Sequence, residues 1–186
     1  MGTLCGRLHP KVPGVLDPRF CSLCGQPLER RLLKANEPER YVCTGCGEVS
    51  WCDPKLAVAT LIEWEGGLLL LRRANQPGYG RWTIPGGFVD RGESTEYAAI
   101  REAREEVCVE VGSLALVGVF SYVGHPVVLI AYEARVSSGT PAVGDEALEI
   151  GVYPFDRIPR DELAFPSTHD AIDSYVRWRA DRFVRT

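Results

Sequence analysis

Histidine is scarce in this chain, as are long apolar runs and any excess of positive charge. His9, His125 and His169 are the only histidines, and none has a partner at metal-ligand spacing. A histidine-ligated metal centre is therefore excluded, and each is read as a surface or structural residue. No segment is long enough in apolar residues to span a bilayer. The opening MGTLCGRLHPKVPGVLDPRF lacks the apolar core of a secretory signal. Gly2 is not followed by Ser or Thr at position 6, where Gly6 stands, which removes myristoylation. The net charge of -4 over 186 residues argues against general affinity for nucleic acid or an anionic membrane. A cytoplasmic protein is the expectation.

Hydrophobic residues make up 45% and charged residues 25%, an ordinary globular balance. The length suits one domain with a small addition and allows a real core. Residues 1–18, with Pro10, Pro13, Pro18 and several glycines, are expected to form a flexible arm. Cysteine, in contrast to histidine, is plentiful. Cys21-Ser-Leu-Cys24-Gly and Cys43-Thr-Gly-Cys46-Gly are two knuckles separated by 18 residues, the spacing of a four-thiolate zinc site. Gly25 and Gly47 permit the unusual backbone angles that end such knuckles. Four thiolates close a tetrahedral site with no position for water, so this zinc is structural. A ribbon over residues 19–52 follows. A disulfide framework would need an oxidising compartment, and neither knuckle follows a strand of a βαβ unit as a thioredoxin-like motif would. Cys5, Cys52 and Cys108 receive no role. Arg30, Arg31, Lys34 and Arg40 are nearly cancelled by Glu29, Glu37 and Glu39, and only Tyr41 and Trp51 are close by. That is too little for a base-stacking platform, which makes nucleic acid an unlikely partner.

A second domain is expected over residues 53–186. LAVATLIEW and LLLLRR flank a glycine pair, Gly66-Gly67, and read as a hairpin. Two further strands, SLALVGVFSYV and VVLIAYEARV, are broken at Gly124-His125-Pro126; LEIGVYPF is another, and THDAIDSYVRWRADRFV is a closing amphipathic helix. Strands around a central helix with a second helix at the end give an α+β sandwich. The central helix, residues 94–107, carries apolar Ala98, Ala99, Ile100, Ala103 and Val107. Its Glu102, Glu105 and Glu106 fall on one face, because positions three and four apart share a face. Crowded carboxylates call for a hard divalent cation, Mg²⁺ or Mn²⁺. Gly86-Gly87 permits a tight path beside the helix, and Glu93 and Arg101 are spaced to brace the preceding loop.

These residues resemble the box of the Nudix family: Gly, five residues, Glu, seven residues, then Arg-Glu-aliphatic-x-Glu-Glu-x-Gly-aliphatic. Gly87, Glu93, Arg101, Glu102, Ala103, Glu105, Glu106 and Val109 fit it, and Cys108 replaces the last glycine. Glycine there gives the helix a left-handed exit, so cysteine is expected to alter how the helix ends. The NADH pyrophosphatases of this family carry an SQPWPFPxS-like stretch where this chain has FSYVGHPVVLIAYEA. The chain is more similar to the shorter zinc-ribbon group that includes plant FAD and ADP-ribose pyrophosphatases. Asp53-Pro54-Lys55, Arg72-Arg73-Ala74, GRWTIPGG and Leu163-Ala164-Phe165-Pro166 carry that likeness.

The resemblance implies an α/β/α sandwich with a mixed sheet and divalent-metal-dependent hydrolysis of a nucleoside diphosphate linked to another moiety, FAD or ADP-ribose, to two monophosphates. It implies catalytic roles for Glu93, Arg101, Glu102, Glu105 and Glu106, and a homodimer. Glu105, Glu146 and Glu149 are alternatives for the base. Arg72 and Arg73 point opposite ways, one of them to clamp phosphate. Gly86, Gly87, Trp82 and Phe165 are expected to line the substrate, although core packing explains Trp82 equally well. NADH or a diadenosine polyphosphate are the alternative substrates. A non-catalytic nucleotide sensor and a module gripping an RNA 5′ end are the alternatives of a different kind.

Overall fold

The computed structural model describes residues 17–184, with side chains through residue 181; the arm expected over residues 1–18 lies, but for its last two residues, outside them. The chain divides into two units. The first runs to Pro54 and includes Tyr122–Pro126; the second comprises Lys55–Ser121 and Val127 onward. Among the described residues, no helix is long and apolar enough to cross a membrane.

The first unit holds three short antiparallel strands, β1 (Leu28–Arg31), β2 (Arg40–Cys43) and β3 (Val49–Ser50), in the order β1-β2-β3. Its buried apolar residues are Cys21, Val42 and Cys43. So small a core cannot offset the entropy of ordering the chain, and a unit of this kind needs a cross-link. Arg30 lies over the Tyr41 ring at 5.6 Å and Arg40 over Trp51 at 5.0 Å.

The second unit opens with the hairpin of β4 (Lys55–Trp64) and β5 (Gly67–Arg73). Its turn residues are Glu65 and Gly66, with φ of 45° and 82°, one position earlier than the glycine pair suggests. Two consecutive positive φ values match the twist of the flanking strands. Gly67 belongs to β5 for a different reason: a Cβ there would lie 2.7 Å from the Tyr153 carbonyl oxygen. The remaining elements are β6 (Trp82–Thr83), α1 (Thr95–Val107), β7 (Glu110–Ser121), β8 (Val127–Ser138), β9 (Ala147–Tyr153) and α2 (Pro166–Val184). α2 begins two residues before the expected Thr168, because proline suits a first helical turn. The sheet order is β6-β5-β4-β8-β7, with β9 also paired to β5. β4 and β8 run parallel and the other pairs antiparallel, so the sheet is mixed.

The two faces of the sheet carry separate cores. Ile62, Leu69 and Leu71 pack with Ala103 and Val107 of α1, and Val58 packs with Ala98 and Ala99. On the opposite face Ala59, Leu61, Leu68 and Leu70 pack with Ala171, Ile172 and Tyr175 of α2. The period of two along β4 and β5 sorts the residues between helices, giving an α/β/α sandwich. The alanines of α1 let its backbone lie close to the sheet.

β4 and β5 pair only at Glu63↔Leu68 and Trp64↔Gly67. Beyond that point they separate, and the backbone of residues 85–89 takes the free edge of β4. Val58 N donates to Gly87 O at 2.8 Å, Thr60 N to Pro85 O at 2.7 Å and Val89 N to Leu56 O at 3.0 Å. α1 then starts behind Ser94, whose hydroxyl accepts from Tyr97 N at 3.1 Å, a side-chain N-cap.

At the other end Cys108 has φ 59° and ψ 30°, and its N–H donates to Arg104 O. The helix therefore ends in the left-handed conformation that glycine would adopt, and the cysteine does not displace the terminus. A Cβ in that region is strained by about 1 kcal/mol or more. Cys108→Gly is expected to raise unfolding free energy by about 1 kcal/mol, read as a higher urea midpoint at unchanged slope. A lower midpoint would contradict this account of the helix end.

Candidate active site

The carboxylates of α1 meet the backbone that fills the β4 edge. Gly86 N donates to Glu106 Oε2 at 2.7 Å, and Glu106 is 3% exposed. A Cβ on Gly86 would collide with Val58 O, a backbone atom, so that glycine is required by close approach, whereas one on Gly87 would meet the Glu102 carboxylate, the movable end of a side chain. Arg101 is the hub of the cluster. Its Nε and one terminal nitrogen donate to both oxygens of Glu93 at 2.9 and 3.1 Å. That terminal nitrogen also donates to Phe88 O at 3.0 Å, and the other donates to Glu102 at 2.8 Å and Glu105 at 3.0 Å. Asp90 N in turn donates to Glu93 at 3.0 Å, which ties the loop before the helix to the helix itself.

Burial dominates the electrostatics. It pushes Glu106 up to about 8, with the Glu102 and Glu146 charges adding and the Gly86 N–H and Arg73 opposing. Burial also raises Glu102, against the pull of Arg101. Glu93 is lowered by its hydrogen bonds from Arg101 and Asp90 N. Buried Glu106 and half-buried Glu102, both above their ordinary range, and half-exposed Glu105 are oxygen donors of the kind a hard divalent ion takes, but among the described residues only the four cysteines bring their ligand atoms within 4.8 Å of one another. Glu102 and Glu105 turn their oxygens to Arg101 here, so such an ion would compete with that arginine.

The residues expected around the substrate separate into two groups. A register shift between Arg72 and Arg73 accompanies their opposite directions. Arg73 lies on the α1 side: its charge reaches Glu106, its Nε donates to Pro77 O at 2.9 Å, and its guanidinium lies 5.0 Å over the Phe165 ring. Arg72 donates to Gly80 O at 2.7 Å and to Glu149 at 3.4 Å, in register with Glu149 on the neighbouring strand. Leu68 and Leu70, which alternate with Arg72, face α2. Glu149 thus sits across the sheet from the α1 carboxylates, whereas Glu146 acts on both Glu102 and Glu106. Trp82 is 5% exposed and meets Tyr153 edge-on at 5.2 Å. It is a core residue, and its ring is not open to stacking on a ligand. Phe165 lines an open cavity of about 480 Å³ with Arg81, Leu163, Ala164, Pro166, His169 and Asp170.

Two residues with no signal in the motif also shape the site. Ala142 N and Gly144 N donate to the Val107 and Glu106 carbonyls at 3.1 and 3.0 Å, capping α1 from a distant loop.

In the first unit the sulfurs of Cys21, Cys24, Cys43 and Cys46 lie within 4.8 Å of one another. The pairs Cys24–Cys43 and Cys24–Cys46 are 3.4 Å apart and Cys21–Cys46 3.8 Å. A tetrahedral zinc with bonds of about 2.3 Å sets its sulfurs roughly 3.8 Å apart, so the geometry fits. The two knuckles repeat one another. Gly25 N donates to Cys21 O and Gly47 N to Cys43 O, while Cys21 N and Cys43 N donate to Gln26 O and Glu48 O. Backbone N–H groups of Cys46 and Gly45 draw Cys43 down to about 6. Against the Glu48 backbone N–H, the Cys24 and Cys43 thiols push Cys46 up to about 12, so Cys43 is the sulfur that favours the thiolate a metal requires.

The NUDIX domain family matches residues 53–175 and a zinc-ribbon family described as Nudix N-terminal matches residues 19–51. The chain belongs to the Nudix family of hydrolases. It is 31% identical over 163 residues to an ADP-ribose pyrophosphatase of Methanocaldococcus jannaschii, covering 85% of this chain and 90% of that protein. It is 30% identical over 165 residues to the NAD-capped RNA hydrolase NudC of Pseudomonas aeruginosa, covering 87% of this chain but only 57% of the relative. The crystal structure of a NUDIX hydrolase from Nitrosomonas europaea superposes with a TM-score of 0.80 at 31% identity, over 88% of this chain and 93% of that one.

In this Nudix protein the buried acid of α1 makes stability depend on pH. An acid whose pKa is higher folded than unfolded favours folding while protonated, and the advantage is lost as pH rises between the two values. For Glu106 the window runs from 4.5 to about 8. Metal-free protein is expected to lose stability across it, and Glu106→Gln to flatten the decline, as read by urea midpoints at several pH values. Equal slopes in the two proteins would refute the assignment. For the ribbon, elemental analysis is expected to find one zinc per chain. Its removal by a chelator should abolish amide protection in β1, β2 and β3; retained protection would mean that the thiolates do not hold the unit together.

Proposed function

We propose that the chain hydrolyses the pyrophosphate bond of a nucleoside diphosphate joined to a second group, releasing two monophosphates, with ADP-ribose ahead of FAD as substrate. The observation that carries the reaction is the contact of Glu106 and Glu102 with the Gly86-Gly87 backbone, with Arg101 joining Glu102 to Glu105. The preference for ADP-ribose rests on the archaeal relative that the chain covers almost end to end. Residues 19–52 serve as a structural zinc ribbon and residues 53–186 as the hydrolase domain of a cytoplasmic enzyme, working as a homodimer.

Divalent ions, Mg²⁺ or Mn²⁺, would be held by Glu102, Glu105 and Glu106, where they would neutralise phosphate charge and acidify a water. The protein groups do the positioning. Arg101, anchored by Glu93, keeps the carboxylates of the first two at fixed spacing. Arg73, lying between Glu106 and Phe165, clamps a phosphate oxygen. Glu146, the carboxylate outside α1 whose charge reaches both Glu102 and Glu106, accepts the proton of the attacking water. The water oxygen bonds to phosphorus as the bridging P–O bond breaks, and the electron pair leaves on the departing monophosphate.

A second reading follows from the bacterial relative named for NAD-capped RNA. The near-neutral ribbon, with arginines lying over Tyr41 and Trp51, does not favour it. The test is product analysis with Mg²⁺ or Mn²⁺ and ADP-ribose, FAD, NADH, diadenosine polyphosphate and NAD-capped RNA offered separately. ADP-ribose is expected to yield two monophosphates, with turnover abolished by Glu105→Gln and reduced about 100-fold by Glu146→Gln. Saturable binding without turnover would replace the enzyme with a sensor. Preferred cleavage of capped RNA would instead favour the second reading. Sedimentation velocity decides the dimer.

A further inference from the structure

Helix α1 ends among carbonyls that have no partner within the helix, and the loop of residues 139–146 supplies two of those partners. Ala142 N and Gly144 N donate to Val107 O and Glu106 O. The chain then turns, with Ala147 N donating to Gly144 O at 3.3 Å, and Ala147 packs in the core containing Ala103 and Val107. Glu146 lies within this turn, and its carbonyl accepts from Ala74 N at 3.0 Å. Its backbone is thus held between the end of the box helix and the first residue of the loop after β5.

Gly144 does not have a left-handed torsion, so a positive φ does not explain the glycine. Space explains the glycine instead. A Cβ at Gly144 would collide with Glu105 O and would stand 2.8 Å from both the carbonyl carbon and the oxygen of Glu106. These are backbone atoms of a packed helix and cannot swing aside as a flexible side chain could. We propose that Gly144 is a positioning residue for hydrolysis: the missing side chain seats the 139–146 loop on the end of α1 and so sets Glu146 beside the carboxylate cluster. The inference rests on Glu146 being the proton acceptor in the reaction proposed above.

The experiment compares the full-length parent, Gly144→Ala, Glu146→Gln and the double variant, each checked for folding by thermal melting. With ADP-ribose and Mg²⁺, Gly144→Ala is expected to lower kcat about tenfold or more, with KM within about twofold. In the Glu146→Gln background it is expected to cause no further loss, because both changes remove the same contribution. In metal-free protein, amide exchange at residues 142–147 should rise in Gly144→Ala, while residues 98–103 of α1 keep the parent's protection. A parental kcat in Gly144→Ala overturns the proposal, as does a loss that multiplies with that of Glu146→Gln, which would place the effect in α1. Parental turnover by Glu146→Gln removes the base assignment, and the positioning role falls with it. The exchange comparison needs no turnover: unchanged exchange at residues 142–147 overturns the seating of the loop even if no substrate is cleaved.

Discussion

The unfinished edge of β4 is the constraint on which the site depends. A strand buried in a sheet must find partners for its backbone groups, and β5 supplies them only beside the hairpin turn. The backbone of residues 85–89 completes the ladder. That pairing presses Gly86 and Gly87 against α1, buries Glu106 beneath a backbone N–H and sets the Glu102 carboxylate against Gly87. The alanines of α1 contribute from below, since their small side chains let the helix pack on Val58 close enough for its carboxylates to meet Gly86 and Gly87. A strand-pairing requirement thereby becomes an electrostatic one, with carboxylates held at close quarters and partly desolvated.

Arg101 balances that crowding. One guanidinium serves Glu93, Glu102 and Glu105 together with Phe88 O, so the loop before α1 and the acidic face of α1 share one counter-charge. A second cation would compete with Arg101 for Glu102 and half-exposed Glu105, but not for Glu106, which answers to Gly86. The first unit solves a different problem. With little apolar surface to bury, it relies on four sulfurs brought together by two copies of one turn, and structural zinc ligation supplies on the order of 10 kcal/mol to units of this type.

What was legible in the chain was local. The three glutamates of α1 share a face because helical geometry repeats every 3.6 residues, and the Glu93–Arg101 brace follows from spacing along one continuous segment. The knuckles are equally local, each a turn closed by its own backbone hydrogen bonds. Long-range features behaved differently. Trp82 carries the same aromatic ring whether it stacks on a ligand or fills a core, and only its neighbours, Tyr153 among them, decide. Glu146 and Glu149 are near one another in the chain, yet the register shift beside Arg73 and the alternation of β5 leave them in different surroundings.

The sequence by itself determined the ribbon, the acidic helix face and the thiolate set, because each is written in contiguous or regularly spaced residues whose geometry is set by the backbone. The same motifs carried the family resemblance that implied the mixed sheet. Only the tertiary structure decided that Cys108 accepts the left-handed exit of a glycine, that Trp82 belongs to the core and that Arg73 is the arginine on the α1 side. It also decided that Gly144 has no room for a side chain. Those outcomes depend on atoms brought together from segments far apart in the chain, where spacing carries no information about distance.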